Sequence, residues 1–525
     1  MKIKLLFCLL FFTSFAFGQV QNNVWCFGNH AGLDFNSGTP VALPTTAIST
    51  NEGCSSISDN SGQLLFYTDG VSVWNKNHIQ MPNGFGLQGN PSTSQSALIV
   101  PIQSATGDLY YVFTINELAG AMTYSIVDMG LQSGMGDVTA TKNVALHPAV
   151  CEKQVAIQKC DKNVWVISHE WGTNNFFADL VTPSGINPSV ISSVGTINQG
   201  GSGPTWNSVG YMKASQQGNR LALAIRDANL FEVFDFDSNT GFVSNSIPIT
   251  PNHSSLYGVE FSPNGNILYG SSILSQEIYQ FNLLAGSPAS ISASSTTITT
   301  AAWGCALQLA TDGKIYIAQP TSFTTGLNYL GVINSPDSYG TSCNFVANGV
   351  SLGSNNVLVG LPNFMIRANI PAIPTITQNG LTLTSSSVTG NQWYLNGVAI
   401  PGATGQSYNI ISNGVYTLSV TNGICSSTTS EGVNMTNLGI DNWSTDNLFS
   451  FSPNPTSGII NVSFNLISEK SILIISNIVG ETIYCENIQM KGNEIIDLTK
   501  YSKGIYFIAF QNRKGTATKK IVIAD

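Results

Sequence analysis

One pattern constrains this chain of 525 residues more than any other: a short apolar segment recurs seven times at intervals of about fifty residues. The copies occupy 53–59, 96–102, 154–159, 208–214, 258–262, 305–310 and 360–365. Most are followed by a tight turn and a second strand. Asp59-Asn60-Ser61-Gly62 precedes Leu64-Leu65-Phe66-Tyr67, Ser262-Pro263-Asn264-Gly265 precedes Ile267-Leu268-Tyr269, and Thr311-Asp312-Gly313 precedes Ile315-Tyr316-Ile317. Gly and Asn supply the positive φ that such hairpins need. A third strand follows, as at 71–74, 231–236 and 277–281. Each unit therefore reads as one blade of a β-propeller. The seventh copy has no blade behind it, whereas Val24-Trp25-Cys26-Phe27 and Gly32-Leu33-Asp34-Phe35 lack a first strand. The end of this region is expected to complete its beginning, closing seven blades over 22–370 and leaving no exposed sheet edge.

Two smaller β modules follow. Residues 372–435 contain Gln392-Trp393-Tyr394-Leu395-Asn396-Gly397, Ile400-Pro401-Gly402-Ala403-Thr404 and Gly414-Val415-Tyr416-Thr417-Leu418-Ser419-Val420, and resemble an immunoglobulin-like or polycystic-kidney-disease-type surface domain with Trp393 at its core. Cys425 is the only cysteine there, so the inter-sheet disulfide of antibody domains cannot form. Spacing and binding are both open roles for it. Pro371 and Pro374 mark its entry, and 436–447 form a polar linker. Residues 448–525 alternate with period two (Ile472, Ile474; Ile505, Phe507) between Pro and Gly turns, the pattern of a small antiparallel β-sandwich. The fold class is all-β throughout.

That last module also carries ordered motifs: Pro453-Asn454-Pro455 with Gly458, then Ile478-Val479-Gly480, then Lys503-Gly504-Ile505-Tyr506-Phe507. Together they resemble the type A C-terminal sorting domain of the type IX secretion system of Bacteroidota. The resemblance implies recognition by the translocon and sorting machinery, removal of the domain, and a mature protein attached to the surface or released. It implies no catalytic residue in the module. The other end agrees: Lys2 and Lys4 precede an apolar run over 5–17 that closes in Ala16-Phe17-Gly18, the form of a secretory signal peptide spanning 1–18. No later stretch is long and apolar enough for a membrane helix, and no cysteine follows the cleavage site to take a lipid anchor. Export to the periplasm and then to the exterior is the expectation.

The propeller region resembles the repeats of Bacteroidota surface proteins in Gly28-Asn29-His30-Ala31-Gly32-Leu33-Asp34-Phe35, Thr50-Asn51-Glu52-Gly53-Cys54 and Leu65-Phe66-Tyr67-Thr68-Asp69-Gly70. Some such proteins end in a gliding-motility-type region. This chain ends in the type A module instead, which argues against a direct role in motility.

Charge narrows the partners. Only 9% of residues are charged, and 19–447 hold ten Lys and Arg against twenty-three Asp and Glu. An acidic body cannot neutralise a phosphate backbone, so nucleic acid is excluded as a partner. Of nine cysteines, Cys8 falls in the signal. Cys151 and Cys160 bracket a short segment and could pair, whereas Cys425 and Cys485 fall in different modules and are expected to be unpaired. No Cys-x-x-Cys element is present, and neither a metal nor a cofactor is expected.

Familiar catalytic patterns fail on context. Gly349-Val350-Ser351-Leu352-Gly353 has the Gly-x-Ser-x-Gly spacing, but Ser354-Asn355-Asn356 offers no helix to form a nucleophile elbow. His169-Glu170 lacks the second histidine of a zinc-binding helix. Asp235-Phe236-Asp237-Ser238-Asn239-Thr240-Gly241 begins like a calcium loop, yet its glycine comes late and Ser246 stands where a bidentate glutamate is needed, so it reads as a hairpin turn.

A better set precedes the recurring first strands, where side chains should face the central channel or its rim: Glu52, Glu152, Trp206, Tyr257 and Trp303. Aromatic faces can stack on sugar rings while carboxylates accept hydroxyl hydrogen bonds; equally, the aromatics could simply plug the channel. The resulting expectation is an exported binding or adhesion protein whose propeller presents a site for a glycan or a protein. The alternative is a polysaccharide hydrolase or lyase using Glu52 and Glu152 as paired carboxylates. A coat protein is a third reading.

Overall fold

The computed structural model describes residues 20–104, 107–200, 206–251, 254–274, 276–299, 303, 305–436, 449–464, 471–488, 492–512 and 515–525. The signal segment 1–18 and nearly all of the linker 436–447 lie outside these residues. The chain forms two compact units, one made of 1–371 with 422–426, the other of 372–421 with 427–525.

The first unit is a ring of seven blades. The second blade is Ser55–Ser58, Leu64–Thr68 and Val73–Asn75; the fifth is Met212–Ala214, Arg220–Ile225, Leu230–Asp237 and Phe242–Ile249. The sixth (Leu256–Phe261, Ile267–Ser272, Glu277–Asn282, Thr296–Thr299) and seventh (Leu307–Leu309, Ile315–Ile317, Tyr329–Ile333, Phe345–Ser351) repeat that antiparallel order. Blades cover one another on both faces. Strands such as Leu256–Phe261 are therefore buried at every position, and apolar runs replace clean alternation.

Blades three and four share a strand. Val144–Gln158 pairs through its first half with Gly120–Asp128 (Val144 opposite Tyr124) and through its second half with Val164–Glu170 (Ile157 opposite Trp165), its register shifting between Val150 and Gln154. The third blade begins with Ala97–Pro101 and Leu109–Ile115, and the fourth continues through Thr173–Thr182 and Val190–Asn198.

The first blade starts at Val24–Phe27 and Ala31–Asp34, and residues 357–365, which make only isolated bridges, occupy the place of its inner strand. Asn29 N donates to Asn356 O at 2.9 Å at one end, and Asn22 Nδ2 to Met365 O at 3.4 Å at the other, so the two segments run antiparallel. The same segment lies along blade two, where Asn363 N donates to Cys54 O at 2.7 Å and Ser55 Oγ to Asn363 O at 2.8 Å. The approach is close enough that a Cβ on Gly360 would stand 1.9 Å from Glu52 O, so only glycine fits. Trp25 seals the joint, fully buried against Phe35, Tyr316 and Phe364 with ring centroids 4.9, 5.6 and 5.7 Å away.

Polar side chains fill the middle of the channel. Gln95 Nε2 donates to Gln154 O, Met212 O and Asn363 Oδ1 at 2.9, 3.1 and 3.2 Å, and its Oε1 accepts from Met212 N at 2.8 Å. One buried amide thus ties three blades to the closing segment, with its hydrogen-bonding capacity used.

The cysteine expectations need correction. Cys160 is bonded to Cys425, both in the first unit, while Cys151 is free and buried. Cys151 sits within the extended strand Val144–Gln158, and nine residues of extended chain put it roughly 30 Å from Cys160, far beyond disulfide reach. Cys485 is free and exposed.

The second unit contains two sandwiches. In one, Ile376–Asn379, Thr382–Ser385 and Ser407–Asn409 face a sheet of Val398–Ala399, Asn391–Leu395, Gly414–Val420 and Val433–Met435. Trp393 is fully buried between them, its Nε1 donating to Gly405 O at 2.9 Å. In the other, Phe449–Ser452, Ile459–Phe464 and Asn493–Asp497 oppose Thr482–Ile488, Ser471–Asn477, Gly504–Asn512 and Gly515–Ile523 around Ile460, Leu473, Ile508 and Phe510.

Candidate functional site

Within a blade, the residue before an inner strand and the residue after the second strand meet at the same end of a hairpin. At that end of the ring, blades two to five and seven enclose a cavity of about 380 Å3 lined by Glu52, Glu117, Glu152, Trp206, Arg226 and Phe323, among others.

Glu152 stands at the start of the buried half of the shared strand and is fully engaged. Its Oε2 accepts from Ser94 N at 2.8 Å and Ser94 Oγ at 3.0 Å, and its Oε1 from Leu118 N at 3.0 Å. Burial pushes its carboxyl above the usual range and these donors pull it back. Next to it, Lys153 turns the other way and donates to the Asn207, Ser208 and Val209 carbonyls at 2.9, 2.8 and 3.1 Å, with burial lowering its pKa to about 8.

Glu52 is the contrasting carboxylate. No hydrogen bond of normal geometry reaches its buried Oε2, although the Tyr257 and Ser94 hydroxyls are near enough to favour its charged form slightly. Burial, reinforced by the charge of Glu152, drives its pKa well above the ordinary carboxylate range. The two carboxylates are therefore unlike: Glu52 is raised by burial and by the charge of Glu152, whereas three donors offset the effect of burial on Glu152. A protonated Glu52 can both donate and accept a hydrogen bond.

The aromatic residues divide. Trp206 is 38% exposed at the mouth, with the Arg226 guanidinium 5.6 Å from its ring centroid and its backbone N donating to Asp227 Oδ2 at 2.7 Å. Trp303 stands behind the wall, edge-on to Phe323 at 5.6 Å. Tyr257 lies inside the strand Leu256–Phe261, fully buried against Tyr211 at 5.5 Å, beneath Glu52. Its hydroxyl and Arg226 Nε are buried without a hydrogen-bond partner among the described residues. The structure thus brings Glu52, Glu152 and Trp206 to one cavity and sets Tyr257 and Trp303 in its second layer.

Glu117, Arg226 and Phe323 were missed from the sequence. Each follows a second strand, so the hairpin geometry that selected the first group also points to this one.

Other motifs lie elsewhere. Ser351 ends an exposed outer strand, and its hydroxyl accepts from Gly353 N at 3.2 Å. His169 is buried, with Asn198 Nδ2 at 3.1 Å from its Nε2, and burial lowers its pKa to about 3. Asp237 caps its own hairpin, accepting from Asn239 N at 2.9 Å and Thr240 Oγ1 at 2.8 Å, and Asp235 accepts from Asn245 Nδ2 at 2.7 Å.

In the terminal sandwich, Asn454 joins the Pro453 and Pro455 turn to the last strand, donating to Lys520 O at 2.9 Å and accepting from Val522 N at 2.8 Å. Gly458 and Gly480 hold turns at φ 125° and 85°, and Gly504 opens the strand on which Tyr506 is buried, its hydroxyl donating to Ser502 O at 2.8 Å.

Residues 450–524 match the family described as the secretion system C-terminal sorting domain. The match supports a type IX secretion substrate and implies export to the outer surface or the extracellular space. No helix among the described residues is long and apolar enough to cross a membrane. The chain has no match among the curated proteins. Among solved structures, it resembles the periplasmic gluconolactonase PpgL of Pseudomonas aeruginosa (14% identity, TM-score 0.34, covering 70% of this chain and 94% of that one). It also resembles Hsv2 of Kluyveromyces lactis (10%, TM-score 0.35, 60% and 90%) and a protein of unknown function from Desulfotomaculum acetoxidans (12%, TM-score 0.33, 66% and 95%). Likeness at this level bears on neither activity nor ligand.

Proposed function

We infer that the chain is an exported binding protein, with the propeller (22–370) taking a hydroxyl-rich ligand such as a glycan in the Glu52 cavity. The observation that carries this reading is one concave site in which the buried Glu52 Oε2 has no hydrogen-bond partner among the described residues, beside the half-exposed Trp206 ring and the Arg226 guanidinium. Buried polar groups without partners cost free energy, which a ligand's hydroxyls would relieve while its ring stacks on the indole. The immunoglobulin-like module (372–435) serves as a spacer. Residues 1–18 direct entry to the periplasm, and 448–525 engage the type IX translocon.

A second reading, hydrolase or lyase, draws on the two unlike carboxylates sharing that cavity. It ranks lower because both oxygens of Glu152 are already held by donors of the protein itself.

The test is to incubate the purified chain with a panel of polysaccharides and glycoproteins, then measure retention and chromatograph the products. Retention without new products supports binding. New products that vanish in Glu52→Gln would make it an enzyme, and no retention by any member would sink both readings. The sorting role is tested separately: removing 448–525 should trap the protein in the periplasm, and normal surface appearance of that truncation would refute it.

A further inference from the structure

A larger cavity, of about 480 Å3, opens at the other end of the ring among the turns that follow the inner strands. Its size lies within the range of small-molecule sites. Arg367, the residue after the closing segment, lines it together with Tyr110, Gln103 and Lys162. The Arg367 Nε is buried with no hydrogen-bond partner, and among the described residues the side chains of Arg367 and Lys162 make no hydrogen bond or ion pair. The neighbouring cation Lys159 is paired with Asp161 at 3.0 Å, so the two free cations are a feature of this wall.

Asp59 and Asp108 belong to the same lining, yet among the described residues neither makes an ion pair with Arg367 or Lys162. Asp59 is spent on its own hairpin, its Oδ1 accepting from Ser61 N, Ser61 Oγ and Gln63 N at 2.8, 2.7 and 2.9 Å. Tyr110, buried beside Arg367, has a phenol raised by burial and cannot act as the missing anion near neutral pH. A partly buried guanidinium whose Nε lacks a partner is costly, and burial lowers the pKa of Arg367 to about 10.

We propose that this cavity is a second binding site, selective for an organic carboxylate that Arg367 grips with its planar fork and Lys162 attracts from the rim. A guanidinium matches a carboxylate through two parallel hydrogen bonds, whereas lysine offers only a point charge. The carboxylate can come from a free sugar acid or from the uronate units of a polysaccharide.

Calorimetric titration of the full chain distinguishes the sources. The titrants are galacturonate, polygalacturonate, glucose and sodium sulfate. Heat from galacturonate as well as polygalacturonate assigns a free-acid site; heat from polygalacturonate alone assigns a polymer site. Sulfate should give none, and any heat from glucose, coming from the Glu52 cavity, should be the same in Arg367→Lys as in the parent. Arg367→Lys, which keeps the charge but loses the fork, should weaken carboxylate binding about tenfold or more, and Lys162→Gln, an exposed change that leaves the core intact, about threefold. No binding of either carboxylate overturns the proposal, as does binding equal in Arg367→Lys and the parent, or sulfate bound as well as galacturonate.

Discussion

The two ends of the propeller are built from the same repeat and yet present different chemistry. Where inner strands begin, the cavity gathers Glu52, Glu117 and Glu152 around Arg226, with Trp206 and Phe323; where they end, it balances Arg367 and Lys162 against Asp59 and Asp108, with Tyr110. The repeat fixes which positions reach each end, and leaves the residues there free to differ. The strands between, filled by Gln95 and Asn363, keep the two ends apart. This contrast teaches that a blade sequence specifies a frame, and that ligand chemistry is written in the two or three residues flanking each inner strand.

The largest expected effect tests whether the frame is common to both ends. Trp25→Ala removes the ring that seals the closing segment and should cost about 3–5 kcal/mol in urea unfolding, with both sites weakened together. Loss at one end alone would show that the ends are stabilised separately. Next, Cys425→Ser opens a link spanning 265 residues beside Arg367 and should cost about 2–4 kcal/mol, measured as the loss on reduction of the parent. Its effect on ligand binding should fall on the Arg367 end only.

Trp206→Ala should weaken glycan retention about tenfold, close to 1.4 kcal/mol, while changing stability by no more than about 0.5 kcal/mol, because the ring is at the mouth. A tenfold change in galacturonate binding in the same variant would erase the distinction between the ends. The smallest effect is pH-dependent. The native chain holds the Glu52 proton well above 4.5, the ordinary value. Stability from this group is therefore full below pH 4.5 and is lost as pH rises through the native pKa. Glu52→Gln should flatten that part of the stability curve, leaving the contributions of Glu152 and Glu260; an unchanged slope would contradict the assignment.

The frame was legible because blades repeat. Six of the seven inner segments read from the sequence contain strands, and the return of residues 356–365 to the first blade, through Asn29–Asn356 and Asn22–Met365, followed from two incomplete ends. The shared strand Val144–Gln158 was not foreseen, since one extended run that changes partners at a register shift has no separate signature. Trp393 was legible as a core residue from the resemblance of Gln392-Trp393-Tyr394-Leu395-Asn396-Gly397 to a surface-domain motif. The cysteine partners were not, because pairing depends on where a strand carries each residue, and Cys151 and Cys160 sit at distant points of one extended run. Arg226 and Arg367 were invisible for a related reason: a lone arginine in a loop gains meaning only from what the fold places around it, the Glu52 cavity for one and a buried Nε without a hydrogen-bond partner among the described residues for the other.

The closing segment also sets a clock. Asn22 and Met365 are 343 residues apart, and the first blade has no inner strand until both are present. A chain emerging from its N-terminus must hold Val24–Phe27 and Ala31–Asp34 unfinished while the other blades are made. Pairing across so long a separation is slow, because loop closure is completed before its contacts can stabilise it. A chain built in this order passes through an interval in which its ring cannot shut.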